Sequence, residues 1–217
     1  MLHIPIYKKI LSYLYPVRIA KAATPHNSVL ELCLSNGQFQ LATHDALYSD
    51  GDRYRPLTIA FNHLGAALYN VKRVLVLGTG LGSAAQILYA KGYKPSYTFV
   101  EYDNTILQWA MQTLPADVVA KSIPICADAL LFINDYKQEH DILVVDIFNS
   151  RVVPAFVTTE DFLKKCRRCI KPGGHFVLNY IVLNNTDWTT VEQNIKSVFP
   201  NLTILENGIN RIMIATV

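Results

Sequence analysis

The sequence predicts an α/β fold: a mostly parallel sheet of seven strands that finishes in an antiparallel hairpin, preceded by a small N-terminal β-hairpin region. Three observations carry this. From Arg73 onward, short apolar runs alternate with helical patterns, as in a parallel sheet covered on both faces. The first run, Arg73 to Leu77, enters a glycine turn, Gly78-Thr79-Gly80-Leu81-Gly82. The last two runs are separated only by Asn207-Gly208-Ile209, too few residues for a crossover helix, so they pair as a hairpin.

In chain order, residues 1–27 are an aromatic lead-in broken by Pro5 and Pro16. Its apolar start, Met1 to Tyr15, has no small-residue cleavage site and is too short to span a bilayer; it reads as an arm packing on its own domain or on a second subunit. Residues 29–34 and 38–43 alternate apolar and polar around Asn36-Gly37, a hairpin signal. Residues 54–69 carry apolar side chains at Leu57, Phe61, Leu64 and Leu68, a helical spacing. Strands are then predicted at 73–77, 96–100, 122–126, 141–146, 174–182, 202–206 and 210–216. Helices are predicted at 83–91, 104–113, 129–134, 159–170 and 187–198. Two regions follow: 1–70 as arm, hairpin and covering helix, and 71–217 as a nucleotide-binding domain.

Composition narrows the function classes. A 51% hydrophobic content with 17% charge is that of a chain with a filled core. Net charge is +3, split +2 and +1 between residues 1–70 and 71–217, with no basic tract, so nucleic acid is not an expected partner. No apolar run is long enough for a membrane span. Cys166-x-x-Cys169 lies in a helical pattern with no second pair at zinc spacing, so its thiols read as structural and no metal is expected. Reduced thiols fit a cytoplasmic setting.

The glycine turn lets the backbone turn tightly and lets a ligand approach, with the following helix pointing its N-terminus at it. Glu101 arrives at the end of the next strand, about 20 residues on, where a carboxylate can accept from both hydroxyls of a ribose. Gly78-x-Gly80-x-x-Ser83 misses the third glycine of the dinucleotide fingerprint, although Gly80-x-Gly82-x-x-Ala85 satisfies its looser form; no phosphate-binding Gly-Lys-Ser/Thr occurs. Asp128 follows the third strand and can accept from an adenine amine or cap the helix after it. Asp146 ends the fourth strand. In an open α/β sheet, ligands sit beyond the carboxyl ends of the strands, where all three acids fall.

This ordered set resembles the class I S-adenosylmethionine-dependent methyltransferase superfamily, Rossmann-like, over residues 71–217, and within it the spermidine synthase branch over about 28–217. The resemblance implies that Gly78, Thr79, Gly80 and Leu81 approach the methionine moiety, Glu101 with Tyr102 holds the ribose, and Asp128 with Ala129 holds the adenine. It implies a nucleoside contact for Gln40 in Asn36-Gly37-Gln38-Phe39-Gln40-Leu41, and a covering segment from Asp45 to Leu57. Tyr48, Tyr54 and Asn149 then fall on the acceptor side, and Asp146 is the candidate to orient the acceptor or take its proton. Asn179-Tyr180 lacks the prolines of the Asn-Pro-Pro-Tyr of amino-methylating enzymes and is assigned no role.

The chain departs from that branch where the branch binds amines. Leu81 stands where aminopropyltransferases carry Asp, and Asp146-Ile147-Phe148-Asn149-Ser150 replaces a loop with two acids. Tyr54-Arg55-Pro56-Leu57 replaces a Tyr-Gln/His-Glu motif. The expectation is therefore methyl transfer from S-adenosylmethionine to a small-molecule acceptor by a cytoplasmic homodimer. The alternatives are aminopropyl transfer from decarboxylated S-adenosylmethionine, or a non-catalytic homologue that binds a nucleoside such as methylthioadenosine.

Overall fold

The computed structural model describes residues 2, 4–44, 46–183 and 186–217. Asp45, expected to open the covering segment, lies outside them.

The lead-in is more structured than its sequence suggests. A short helix α1 (Ile6–Leu11) precedes strand β1 (Val17–Ala22). Strands β2 (Leu30–Ser35) and β3 (Gln38–Ala42) form the expected hairpin, and β4 (Leu47–Ser49) adds a further strand. Asn36 and Gly37 both take positive φ, 49° and 75°, as a two-residue hairpin turn requires. The hairpin region is thus a four-stranded antiparallel sheet, β1-β2-β3-β4. Strand β2 alternates, with Leu30, Leu32 and Leu34 buried. Leu30, Leu32 and Leu41 form a small core with Leu81 and Ile106, which seats this sheet on the seven-stranded domain.

The helical pattern expected over 54–69 divides. Helix α2 (Arg55–Leu64) starts with Pro56 in its first turn, where a missing N–H costs nothing. It stops at Gly65, whose φ of 49° leaves the helical region, and a 3-10 segment continues through Asn70. Leu57, Ala60, Phe61 and Leu64 are buried in the core of the larger sheet.

Strand and helix then alternate: β5 (Arg73–Leu77), α3 (Ser83–Ala90), β6 (Ser96–Glu101), α4 (Asn104–Thr113), α5 (Ala116–Val119), β7 (Ser122–Cys126), α6 (Ala129–Asp135), β8 (His140–Val145), α7 (Glu160–Arg168), β9 (Ile170–Ile181), α8 (Trp188–Val198), β10 (Leu202–Asn207) and β11 (Asn210–Thr216). The sheet order is β10-β11-β9-β8-β5-β6-β7, parallel from β9 to β7, with β11 antiparallel to both neighbours. Strand β9 begins at Ile170 rather than at 174, with residues 171–174 an irregularity inside a strand that still pairs with β8, and the short helix α5 is an addition to the predicted elements.

Side chains of the central strands alternate between two cores, as the period of two demands. Val74 and Val76 of β5 face α2, α3 and α4, whereas Leu75 and Leu77 face α6, α7 and α8. Connections leave β5 for β6 and β7 on one side, and β8 and β9 return on the other. The crevice opens at this reversal. No helix among the described residues is long and apolar enough to cross a membrane.

Candidate active site

The glycine turn after β5 is built by close approach. Gly78, Gly80 and Gly82 all have positive φ, at 84°, 52° and 77°. A Cβ on Gly78 would lie 2.3 Å from the Asp146 carbonyl oxygen, so only glycine lets the ends of β5 and β8 meet there. The Asp146 N–H donates to the Leu77 carbonyl at 2.9 Å, which fixes that approach. The Thr79 hydroxyl donates to the Val100 carbonyl at 3.1 Å and ties the turn to β6.

Glu101 sits beneath the turn. One carboxylate oxygen accepts from the Gly80 N–H at 3.0 Å and the other from the Asp103 N–H at 3.2 Å. Burial raises its pKa, and these backbone N–H groups work against that rise. Each oxygen keeps lone-pair capacity for a further donor, which suits two ribose hydroxyls. Asp128 caps α6, accepting from the N–H groups of Leu130 and Leu131 at 2.7 and 3.3 Å. Asp103 caps α4 and also receives the Thr24 hydroxyl and the Asn27 amide, which holds residues 24–27 against the crevice. There the His26 and Tyr102 rings lie 3.8 Å apart, and the Tyr48 hydroxyl accepts from the Ser150 N–H at 2.7 Å.

Across the turn, at the ends of β8 and β9, one carboxyl is enclosed. Tyr54 donates to Asp146 Oδ1 at 3.2 Å, and the Asn179 amide donates to the same oxygen at 2.9 Å and to the Tyr54 oxygen at 3.0 Å. Asn210 in turn donates to the Asn179 carbonyl oxygen at 2.9 Å and fixes its orientation. Burial raises the Asp146 pKa to about 7, despite the two donors and with Glu101 adding to the rise. The Tyr54 hydroxyl is pushed up by burial and by Asp146, so it remains a donor at neutral pH. A carboxyl that titrates near neutrality, with one oxygen held by donors, can accept a proton at working pH.

Glu101, Asp103, Asp128, Asp146 and Tyr54 line a cavity of about 540 Å³. Of the residues singled out from sequence, Gly78, Gly80, Glu101, Tyr102, Asp128, Ala129, Asp146, Tyr48, Tyr54 and Asn149 line it together. Three expected nucleoside contacts do not. Leu81 is fully buried in the core beneath the N-terminal sheet, because the turn directs it toward Leu30, Leu32 and Leu41. The Thr79 hydroxyl is spent on the Val100 carbonyl. Gln40 faces the N-terminal sheet, where its amide donates to Asp50 at 2.8 Å. Sequence reasoning missed Asn179, Asn210, Asp103, His26 and the wall residues Phe148 and Phe156. No motif surrounds Asn179, and only the pairing of β9 with β8 brings it to Asp146.

The fold is of the class I methyltransferase-like type, and Glu101, Asp128 and Asp146 lie at the switch point of its sheet. The model of the spermine/spermidine synthase domain matches residues 58–207, and the chain belongs to that family. It is 25% identical over 137 residues to polyamine aminopropyltransferase 1 of Aquifex aeolicus (strain VF5), a match covering 60% of this chain and 49% of that protein. The chain thus spans about half the length of the curated relative it matches. Among solved structures, spermidine synthase from Thermotoga maritima superposes with a TM-score of 0.69 at 17% identity, covering 92% of this chain and 72% of that one. Human methyltransferase-like protein 13 in complex with SAH superposes with a TM-score of 0.61 at 22% identity, covering 76% and 81%. These two likenesses concern the fold.

Proposed function

We propose that the chain is an alkyltransferase of the spermidine synthase type, which binds an adenosyl sulfonium donor and transfers its aminopropyl group to an amine. The observation that carries this reading is the buried Asp146–Tyr54–Asn179 network at the acceptor end of a cavity whose other end holds Glu101 and Asp128. The relative's name, polyamine aminopropyltransferase, favours aminopropyl as the group moved.

The residues fit such a donor. The Gly78 cradle admits close approach, Glu101 has acceptor capacity for the ribose, and Asp128 stands where an adenine amine would donate. When bound, the donor supplies a carbon made electrophilic by its positive sulfur. The chain's own tasks are to align the amine, exclude water and take a proton. Asp146 takes that proton through its carboxyl, while Tyr54 and Asn179 hold the group in place.

Methyl transfer is the second reading, and Leu81 favours it. This side chain lies in an apolar cluster, so the turn offers no carboxylate at that position to an aminopropyl ammonium. Calorimetry with decarboxylated S-adenosylmethionine, S-adenosylmethionine and methylthioadenosine separates the two. Tighter binding of the decarboxylated form supports aminopropyl transfer, and tighter binding of S-adenosylmethionine supports methyl transfer. Absence of heat with all three refutes both, along with a non-catalytic nucleoside-binding role.

A further inference from the structure

Residues 1–30 carry Lys8, Lys9, Arg18 and Lys21 and no acid; Glu31 is the first carboxylate in the chain. Arg18 and Lys21 lie 3.0 and 3.9 Å from a Glu31 oxygen, whereas Lys8 and Lys9 form no ion pair among the described residues. Both lysines sit in α1. At about 100° per residue, Ile6, Tyr7, Ile10 and Leu11 share one arc of that helix, with a lysine at each edge of it. The helix is fixed at both ends. Before it, the Leu2 N–H donates to the Gln112 carbonyl at 3.1 Å and Ile4 is buried. After it, the Ser12 carbonyl accepts from the Asn36 N–H at 2.7 Å and the Ser12 hydroxyl from the Gly37 N–H at 3.1 Å. Yet α1 buries none of its own residues. Ile6, Tyr7, Ile10, Tyr13, Leu14 and Tyr15 are between 54% and 79% exposed. Single apolar side chains on a surface are ordinary, but this many on one helix and the turn after it mark an interaction site.

We propose that this patch binds an anionic membrane surface, with α1 lying in the plane of the interface. The inference stands apart from the reaction proposed above. Ile6, Ile10 and Leu14 enter the boundary between headgroups and acyl chains, and the amphipathic rings of Tyr7, Tyr13 and Tyr15 sit at headgroup level. Lys8 and Lys9 reach acidic headgroups from the edges of the apolar arc. Charge decides against a second copy of the chain. Docked patch to patch, each copy sets its Lys8 and Lys9 at the rim of the other's patch, and residues 1–30 offer no acid to pair with them. An anionic lipid surface supplies both the missing negative charge and an apolar layer for the side chains. The apolar area is that of one short helix and a turn, so attachment needs both contributions and is reversible.

The test is co-sedimentation of the full chain with vesicles of equal parts phosphatidylserine and phosphatidylcholine, and with vesicles of phosphatidylcholine alone. Binding to the first is expected to be at least about tenfold tighter and to weaken as salt is raised. Lys8→Gln with Lys9→Gln is expected to remove most of that preference. Ile10→Ser with Leu14→Ser is expected to weaken binding to both kinds of vesicle severalfold. All four side chains lie outside the cores and outside the cavity lining, so the variants keep the fold. Absence of sedimentation with either vesicle overturns the inference, as does equal binding to both. Self-association without vesicles that Ile10→Ser with Leu14→Ser abolishes identifies a second copy as the occupant and overturns it as well.

Discussion

At the ends of β6 and β7, Glu101, Asp103 and Asp128 each accept backbone N–H groups. At the end of β8, Asp146 is instead met by a phenol and an amide. In the first region backbone N–H groups work against the rise that burial imposes on Glu101, and its free lone pairs suit hydroxyl and amine donors. The second keeps a proton within reach of neutral pH. Burial is what raises the Asp146 pKa, and Tyr54 and Asn179 offset only part of that rise.

The largest expected effect comes from removing the proton acceptor. Asp146→Asn should lower turnover by at least about 100-fold, the scale of general base catalysis, while leaving methylthioadenosine binding in place. The same change should stabilise the fold. With a folded pKa near 7 against an ordinary 3.8, the native state holds a proton that the unfolded chain releases, so stability falls as pH rises from about 4 to about 7. The full cost, reached above pH 7, is on the order of 4 kcal/mol as an upper bound. The melting temperature of Asp146→Asn should therefore exceed that of the unmodified chain by a margin that widens between about pH 4.5 and 7.5. A margin independent of pH would show that Asp146 is not held protonated in the fold.

Next in size is the approach that joins the two regions. Gly78→Ala places a methyl against the Asp146 carbonyl and strains a φ of 84°, so a loss of about 3 kcal/mol or more is expected in urea unfolding. Gly208, with φ of 60° and open space around it, is the control. Its alanine variant should lose only about 1 kcal/mol. Equal losses at the two positions would mean that φ alone, and not the approach of β8, requires glycine at position 78.

The same contrast explains what the sequence made legible. Glu101, Asp103 and Asp128 accept from N–H groups only two or three residues away, or from the adjoining turn, so strand-end spacing was enough to find two of them. Asp146 draws its donors from Tyr54, 92 residues away, and Asn179, 33 residues away. Only the strand order brings those together, so Asn179 carried no local signal. The parallel strands were readable because they are apolar and punctuated by turns. Strands β1 and β4 were not, because each completes a sheet edge whose pairing is set by β2 and β3. The family resemblance implies that Leu81 approaches a ligand. Its side chain is instead the peg that seats the N-terminal sheet.

The smallest expected effect tests the nucleoside half. Both Glu101 oxygens already accept one backbone N–H, from Gly80 and from Asp103. Glu101→Gln keeps the shape but turns one acceptor into an NH₂ group that faces a donor. The glycine turn should loosen slightly, and one ribose hydroxyl should lose a charge-assisted partner. Methylthioadenosine affinity should fall about tenfold, or about 1.4 kcal/mol, within the range for a hydrogen bond to a charged group. If the acceptor sits at Asp146, amine binding measured at saturating methylthioadenosine should not change, because Asp146 lies across β5 from Glu101. A variant that binds methylthioadenosine as tightly as the unmodified chain would remove Glu101 from ribose recognition. One that loses amine binding as well would show that the two halves of the cavity are coupled through the glycine turn.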